Sequence, residues 1–251
     1  MNFITSKENH LFKRWKKLPK EQVLLEGEHL CQSWLSTYGK PKATLISEHA
    51  VGKYARYGHQ DGQTFILADR LFNQLSSVPS PQGVMYWVDI PIENTQEVLE
   101  ENALLLDRIQ DPGNLGTILR NAAAAGVRLV YLSSGCANPW SDKVLRSAQG
   151  AHFVLKILTQ QNLSQVIQHK KIPIFATTLS KTAKNLYTFN IPPSCAWLMG
   201  NEGSGIEKTL LDLVDDSIFI PQDSCVESLN VGVASALVLF EQRRQSFYSQ
   251  K

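Results

Sequence analysis

The chain has 251 residues, of which 43% are hydrophobic and 19% charged, a composition typical of one large or two ordinary globular domains. Its formal net charge of +2 is too mild to indicate a nucleic-acid-binding protein by itself. The four cysteines form no C-x-x-C pair, the N-terminus lacks the apolar core of a signal peptide, and no apolar run reaches membrane-spanning length. We therefore expect a cytoplasmic protein with reduced thiols and no membrane contact. The six histidines show no ligand spacing, so we also expect no metal.

The first predicted element is a basic amphipathic helix from Lys7 to Leu18. Ser6 can cap it, and Leu11, Trp15 and Leu18 recur at helical spacing. Its other faces carry the densest positive cluster of the chain, which comprises Lys13, Arg14, Lys16 and Lys17 and is followed by Lys20. Such a cluster is either a solvated helix face or a surface for phosphate groups, and the cluster alone slightly favours the solvated face.

Strands and helices then alternate with short connections, which predicts an α/β layer structure for the first part of the chain. The predicted strands are Val23–Leu25, Ala43–Ser47, Thr64–Leu67 and Gly83–Val88, and the predicted helices are Gly27–Tyr38, His49–Tyr57 and Asp69–Ser76. A polar, acidic segment from Pro91 to Asn102 is predicted to be a linker. The first domain therefore covers residues 1–92.

The second domain, residues 103–251, is predicted to contain a parallel sheet flanked by helices. Its predicted strands are Ala103–Ile109, Arg128–Ser133, Phe153–Leu158, Pro173–Thr178, Ala196–Met199 and Ser217–Ile220. Its predicted helices are Asn114–Gly126, Trp140–Gln149, Leu163–Lys170, Ile206–Leu213 and a final helix that begins near Leu229. Open α/β sheets bind ligands beyond the carboxyl ends of their strands, so the polar segments after these strands are expected to converge.

Three such segments carry the candidate site. The first, D-P-G-N-L-G-T-I-L-R-N-A, leads into a helix whose polar side holds Asn114, Thr117, Arg120 and Asn121. The second is G-N-E-G-S-G at residues 200–205, whose glycines let the backbone approach a ligand closely. Its G-x-x-G-x-G spacing and its late position argue against a dinucleotide-binding loop. In the third, I-P-Q-D-S-C-V-E-S-L-N, Ser228 and Asn230 are either helix caps or ligand-binding groups.

Together these segments resemble, in order and spacing, the three signature motifs of the SpoU (TrmH) family of the SPOUT superfamily. The family consists of RNA 2′-O-ribose methyltransferases that use S-adenosylmethionine. The resemblance implies this cofactor, an RNA substrate, a homodimer and a C-terminal domain with a trefoil knot, which sequence physics alone would never propose. The N-terminal segments L-L-E-G-E-H-L and P-S-P-Q-G-V resemble the RNA substrate-binding domain that precedes many SpoU catalytic domains.

The resemblance also implies roles for individual residues. The implied catalytic residues are Asn114, Arg120, Glu202, Ser228 and Asn230, of which Glu202 either joins the active site or bridges subunits. The implied cofactor-binding residues are Gly200, Ile220 and Leu229, with Thr177 and Leu179 at the border of the same pocket. Beside an RNA enzyme, phosphate contact becomes the favoured interpretation of Lys13, Lys16, Lys17 and Lys20.

Arg120, taken alone, would be an exposed helix arginine, and the motif around it favours catalysis. A guanidinium with a pKa above about 12 is a poor general base. We expect Arg120 to hold the adjacent phosphate bidentately and to align the 2′-hydroxyl group, while Ser228 and Asn230 orient the ribose. The proton leaves either to that phosphate or to an Arg120 deprotonated in the closed site.

The leading interpretation is a 2′-O-methyltransferase for ribosomal RNA, with three alternatives. These are a tRNA 2′-O-methyltransferase, an RNA-base methyltransferase of the same superfamily, and a ribosome-associated RNA-binding protein without activity. Base methylation can use a cysteine nucleophile, but Cys225 has no paired base nearby, which favours a structural role. Whether two subunits share each active site stays open, because the small residues Ala122 to Gly126 suit a subunit contact or the chain's own sheet.

Overall fold

A computed structural model describes residues 2–58, 63–93, 98–180 and 182–248. The chain divides into two compact units, residues 1–92 and 93–251. Residues 94–97 of the predicted linker lie outside the described residues. Among the helices of the described ranges, none combines the length and the apolar character that crossing a membrane requires.

In its described residues, the first unit is a five-stranded mixed sheet with four α-helices. Its strands are β1 (Asn2–Ile4), β2 (Gln22–Glu26), β3 (Ala43–Ser47), β4 (Thr64–Leu67) and β5 (Val84–Asp89). Its helices are α1 (His10–Lys16), α2 (Glu28–Tyr38), α3 (Val51–Tyr54) and α4 (Asp69–Leu75). The strand order is β1-β4-β3-β5-β2, with β3 parallel to β4 and antiparallel to β5. The α/β alternation is as predicted, but the helix expected at His49–Tyr57 is interrupted by 3-10 turns.

The predicted start of the basic helix α1 is wrong. The side chain of Asn9, not Ser6, caps this helix, since its Oδ1 accepts the N–H groups of Leu11 at 2.9 Å and Phe12 at 3.4 Å. The helix ends at Lys16, two residues before the predicted end. Phe12 and Trp15 are its buried side chains, and the basic residues lie on the exposed faces, as predicted.

The second unit is a seven-stranded sheet in which all the pairs are parallel, as predicted. Its strands are β6 (Ala103–Leu106), β7 (Leu129–Ser133), β8 (Lys156–Gln161), β9 (Ile174–Thr177), β10 (Lys184–Asn185), β11 (Ala196–Met199) and β12 (Asp216–Phe219). Its helices are α5 (Pro112–Ala125), α6 (Asp142–Ala148), α7 (Leu163–Gln168), α8 (Lys208–Leu211) and α9 (Val231–Tyr248). The strand order is β10-β12-β9-β11-β6-β7-β8. Strand β8 begins three residues later than predicted, because a 3-10 turn occupies Ala151–Phe153.

Both faces of this sheet are covered, because successive side chains of a strand point to opposite faces. Leu104 and Leu106 of β6 pack into the core that contains α5 and α9, whereas Leu105 packs into the core on the other face with α7. Helix α9 is also tied to β11 by a hydrogen bond of 2.9 Å from the Trp197 indole to the Gln242 side chain.

Helix α5 begins at the first motif and packs closely on two neighbours. The carboxylate of Asp111 caps it by accepting the N–H of Asn114 at 2.8 Å. Its apolar side, Leu115, Ile118, Leu119 and Ala122, is fully buried, as predicted. A Cβ atom added at Gly116 would lie 1.9 Å from Oγ of Ser147 on α6. One added at Gly232 of α9 would lie 3.0 Å from Thr117.

We expect Gly116→Ala to destabilise the protein by about 1–3 kcal/mol, because the new methyl group overlaps α6. Thermal or denaturant unfolding measures this change. Adding Ser147→Ala should recover only part of the loss, since Cβ of Ser147 and the carbonyl of Val144 remain 2.8 Å from the new atom. Gly52→Ala is the control, because no atom lies within 4 Å of that position. Equal stability of Gly116→Ala and wild type would contradict the close helix contact.

Candidate active site

A cavity of about 880 Å³ lies at the carboxyl ends of β9, β11 and β12, and its size is within the range of small-molecule sites. Residues that follow each of these three strands line it, together with Asn114 at the start of α5. The three motifs therefore meet at one edge of the sheet, where ligands of parallel α/β sheets bind.

Nine of the ten residues assigned to catalysis or cofactor binding from the sequence line this cavity. They are Asn114, Thr177, Leu179, Gly200, Glu202, Ile220, Ser228, Leu229 and Asn230. The tenth, Arg120, is exposed on α5 and does not line the cavity of its own chain. It follows Asn114 by six residues and lies about 120° from it around the helix axis. No described residue forms an ion pair or hydrogen bond with its guanidinium.

A chain of side-chain hydrogen bonds joins the three motifs. Oδ1 of Asn230 accepts the N–H groups of Gly232 at 2.9 Å and Val233 at 3.3 Å, so Asn230 caps α9. Its Nδ2 is therefore the donor to Oδ1 of Asn114, at 2.9 Å. Asn114 in turn donates from Nδ2 to Oε1 of Glu202, at 3.0 Å. Asn114 thus holds the start of α9 and the glycine loop at fixed distances from α5.

The G-N-E-G-S-G loop has a closed backbone conformation. A Cβ atom added at Gly200 would lie 2.4 Å from backbone atoms of Gly205 and Ile206, so only glycine fits there. Asn201 and Gly205 exchange two backbone hydrogen bonds of 3.1 and 2.9 Å. The side chain of Asn201 accepts the N–H groups of Gly203 and Ser204, both at 2.9 Å. Sequence reasoning missed this role of Asn201, although its position between glycines was a usable signal.

Sequence reasoning also missed an ion pair at the base of this loop. Asp107 and Arg108 follow β6, and the arginine donates to both carboxylate oxygens at 2.9 and 2.8 Å. The Asp107 carboxylate is buried and raises the pKa of Arg108. A charged pair that ends the apolar strand A-L-L-L was the signal in the sequence.

The cavity lining is negatively charged. Its ionisable side chains are two carboxylates, Glu202 and Glu227, and neither forms an ion pair with a described residue. Apolar side chains, among them Ile206, Ile218 and Leu229, supply much of the remaining wall. The arrangement suits a mainly apolar ligand that carries positive charge, because burying an unpaired anion next to these carboxylates would be unfavourable.

Of two further residues in the third motif, one lines the cavity and the other does not. Ser228 lines the cavity, and Asn230, not Ser228, is the cap of α9. Cys225 is exposed, and its backbone N–H donates to Asp223 at 2.9 Å. The Cys225 thiol is not part of the cavity wall.

The four lysines assigned to RNA contact all lie on the first unit and are exposed. Lys13 forms an ion pair with Glu8, and Lys16 donates to Gln74 at 3.4 Å. Lys17 and Lys20 form no ion pair with a described residue. Beside them, the guanidinium of Arg14 lies 4.9 Å from the centre of the Trp87 ring.

Comparison with known proteins agrees with the motifs. The sequence model of the SpoU rRNA methylase family matches residues 101–240, more than half of the chain. The chain is 33% identical to the 23S rRNA (guanosine(2553)-2′-O)-methyltransferase RlmP of Bacillus subtilis, over 97% of this chain and 100% of the relative. It is 38% identical to the 23S rRNA (guanosine-2′-O-)-methyltransferase RlmB of Neisseria meningitidis, over 72% of this chain and 76% of the relative.

A solved structure also resembles the chain over nearly its whole length. The AdoMet-bound rRNA methyltransferase from Sinorhizobium meliloti aligns with a TM-score of 0.83 and 25% identity, over 97% of each chain. The predicted fold class, α/β with a parallel sheet in the C-terminal domain, is thereby confirmed. From the matched family and the relatives of similar length, we conclude that the chain belongs to the SpoU rRNA methylase family.

Proposed function

We propose that the protein transfers a methyl group from S-adenosylmethionine to a ribose 2′-hydroxyl group of ribosomal RNA. The observation that carries this proposal is the cavity in which Asn114, Glu202 and Asn230 are joined by hydrogen bonds. The relatives' names support ribosomal RNA and, within it, a guanosine of 23S rRNA. Activity on ribosomal RNA would place the protein in the cytoplasm.

The residues of the cavity fit S-adenosylmethionine. Its volume and apolar wall suit the adenosine part of the cofactor, and Gly200 lies in the cavity wall. The carboxylates of Glu202 and Glu227, which form no ion pair with a described residue, suit the positively charged groups of the ligand. When bound, S-adenosylmethionine supplies an electrophilic methyl group on its sulfonium. We propose that Gly200, Ile220 and Leu229 contact it and that Thr177 and Leu179 border it.

The catalytic residues then position the hydroxyl group and its neighbouring phosphate. The guanidinium of Arg120 has no carboxylate partner among the described residues, so it is available to hold a phosphate bidentately. Ser228, which lines the cavity, orients the ribose together with Asn230. Glu202 fixes Asn114 in turn. The proton of the 2′-hydroxyl group leaves either to the adjacent phosphate or to an Arg120 deprotonated in the closed site.

A homodimer would bring Arg120 to a cavity. Helix α9 exposes Val233, Phe240 and Phe247, at 50%, 45% and 62%, and their seven-residue spacing places them in one stripe. This helix packs on α5, which carries Arg120 on its exposed side. We propose that a second copy covers the stripe and that its cavity receives this arginine. Family resemblance supports a trefoil knot in the C-terminal domain, residues 103–251.

The first unit, residues 1–92, is the proposed RNA substrate-binding domain. Its sequence contains eleven Lys and Arg residues against eight Asp and Glu residues, which gives a net charge of +3. The exposed lysines Lys13, Lys16, Lys17 and Lys20 are the proposed phosphate contacts.

The proposed function predicts ribose methylation that does not depend on a thiol. Incubating rRNA with methyl-labelled S-adenosylmethionine should give an alkali-resistant dinucleotide, because a methylated 2′-oxygen cannot attack the next phosphate. Cys225→Ala should retain most of the activity, and Arg120→Ala should lose most of it. Label in a base, or loss of several orders of magnitude in Cys225→Ala with cofactor still bound, would favour base methylation. Folded wild type that binds no S-adenosylmethionine with RNA present would contradict the proposal.

Asn114→Asp should make stability depend on pH. The new carboxyl group lies about as close to Glu202 as the amide it replaces, 3.0 Å, so one of the two keeps its proton and its pKa rises. A carboxyl group whose pKa is higher in the folded than in the unfolded protein contributes fully to the free energy of unfolding below its unfolded pKa, about 4. This contribution is lost as the pH rises through the folded pKa. The loss relative to wild type should therefore be small at pH 4 and larger at pH 8. Asn114→Leu places an uncharged side chain at the same position and should lose the same stability at every pH. If the stability of the two variants depends on pH in the same way, residue 114 does not contact Glu202.

Replacing Lys13, Lys16, Lys17 and Lys20 by Gln should weaken RNA binding and flatten its salt dependence. Each lost phosphate contact lowers the slope of log K against log salt by about 0.7–0.9. Affinity for S-adenosylmethionine, measured by calorimetry on the same sample, is the internal control and should not change. An unaltered salt slope would mean that this face is only solvated.

Shared sites predict complementation between two inactive variants. Arg120→Ala and the cavity-blocking Leu229→Arg should each be inactive as homodimers. A mixed dimer joins the intact cavity of the first chain to the intact Arg120 of the second, which restores one of its two sites. Random pairing makes about half of the dimers mixed, so activity should return to roughly one quarter. Mixed dimers that form and stay inactive would rule out the shared site.

A further inference from the structure

The Asp107–Arg108 pair lies beneath the glycine loop rather than in the cavity wall. The Asp107 side chain is 3% exposed and that of Arg108 is 34% exposed. A carboxylate so deeply buried is destabilising unless it is well paired, and both of its oxygens accept from the guanidinium, at 2.9 and 2.8 Å. The pair is a rigid, bidentate unit at the end of β6.

This pair contacts the loop at three places. Nδ2 of Asn201 donates to the backbone carbonyl of Arg108 at 2.8 Å. The backbone N–H of Glu207 donates to Oδ2 of Asp107 at 3.0 Å. Between these points, the guanidinium approaches Oγ of Ser204 at 3.5 Å and the carbonyl of Gly205 at 3.4 Å. The contacts bracket residues 201–207, and residues 201–206 of this segment line the cavity.

The backbone of Arg108 adopts a conformation that L-residues seldom use. Its φ is +54°, in the left-handed region, which is unfavourable for a residue with a side chain. Surrounding contacts maintain this conformation. The N–H of Arg108 donates to Oγ of Ser133 at 2.9 Å, and its carbonyl accepts from Nδ2 of Asn201. Glycine would adopt this φ without strain, so an arginine here indicates that the side chain itself has a use.

Apart from the contacts with Asp107 and Arg108, the loop is ordered by its own hydrogen bonds through Asn201 and by the bond between Asn114 and Glu202. Glu202, Gly203, Ser204 and Gly205 are all exposed, and three of the six residues of G-N-E-G-S-G are glycines. Glycine-rich backbone loses much conformational entropy when it is fixed, and a ligand that must order it binds more weakly. Contacts that fix the loop beforehand therefore increase affinity without touching the ligand.

We propose that Arg108 is a positioning residue for the cofactor. With Asp107 it holds the G-N-E-G-S-G loop in the shape that receives S-adenosylmethionine, and it sets the affinity for the cofactor rather than the rate of methyl transfer. This inference rests on the proposed methyltransferase function. It assigns no contact between Arg108 and the cofactor, because Arg108 is not part of the cavity wall.

The test compares three substitutions at one position. Arg108→Ala removes the guanidinium, Arg108→Lys keeps the charge without the bidentate geometry, and Arg108→Gly removes the side chain while relieving the backbone. Calorimetry with S-adenosylmethionine should show about tenfold weaker binding for the alanine and glycine variants and an intermediate loss for lysine. KM for the cofactor should rise by the same factor, with kcat within about twofold of wild type.

A measurement on the cofactor-free protein distinguishes loss of loop positioning from general destabilisation. Amide hydrogen exchange of Gly203, Ser204, Gly205 and Glu207 in the cofactor-free protein should be about tenfold faster in Arg108→Ala and Arg108→Gly. Arg128→Ala is the matched control, because this exposed arginine at the amino end of β7 bonds the Ala123 carbonyl and lies away from the loop. It should change neither exchange of the loop nor cofactor affinity.

The outcomes distinguish the two proposals. If wild type binds the cofactor and Arg108→Ala and Arg108→Gly bind it equally well, the positioning role is wrong and the methyltransferase function stands. A fall in kcat at unchanged KM would also overturn the positioning role. If Arg108→Ala and Arg108→Gly do not fold, because both leave the Asp107 carboxylate unpaired, the lysine variant carries the same comparison. Wild type that binds no S-adenosylmethionine, alone or with RNA, would overturn the function itself.

Discussion

One amide side chain, Asn114, is bonded to both of the other segments that surround the cavity. It can accept from Asn230 and donate to Glu202 only because Asp111 caps α5 and Asn230 caps α9, which fixes both helix starts relative to the loop. The close crossing of α5 and α9 at Gly232 keeps these starts together. The packing of α5 against α9 and the geometry of the site therefore depend on each other, since a shift of either helix would break the chain of hydrogen bonds.

Sequence patterns predicted elements best where the apolar signal was continuous. The strands Ala43–Ser47, Thr64–Leu67 and Ala196–Met199 have the bounds expected from their buried runs. Strands β1 and β10 were missed, because three and two residues are too few to show a period. The start of α1 was wrong for a different reason. Ser6 and Asn9 are both good caps, and only the folded backbone decides which side chain reaches the free N–H groups.

For the site too, local sequence patterns located some residues, whereas contacts between distant parts of the chain could not be predicted. Family motifs placed seven residues around one cavity, and the position of Thr177 and Leu179 after a strand placed two more there, because these segments follow neighbouring parallel strands. The contact between the Arg108 guanidinium and the Gly205 carbonyl joins residues nearly one hundred positions apart in the sequence, and no spacing rule predicts such a contact. The outward position of Arg120 is also a property of the fold. A helix pattern shows that Arg120 is polar and about 120° from Asn114 around the axis, but it does not show on which side of α5 the cavity lies.

Charge separates the two ligands that a methyltransferase of this kind must bind. The carboxylates of Glu202 and Glu227 attract a sulfonium and repel an RNA phosphate, so the cavity that suits the cofactor cannot by itself hold the RNA backbone. Binding energy for the RNA must then come from cations elsewhere, and the sequence provides them in two forms. Under the proposed function, the lysines of the first unit would supply many weak contacts and Arg120 one directed, bidentate contact. Because salt screens the first group much more than a partly desolvated guanidinium–phosphate pair, RNA affinity and alignment of the reacting hydroxyl group should respond differently to ionic strength.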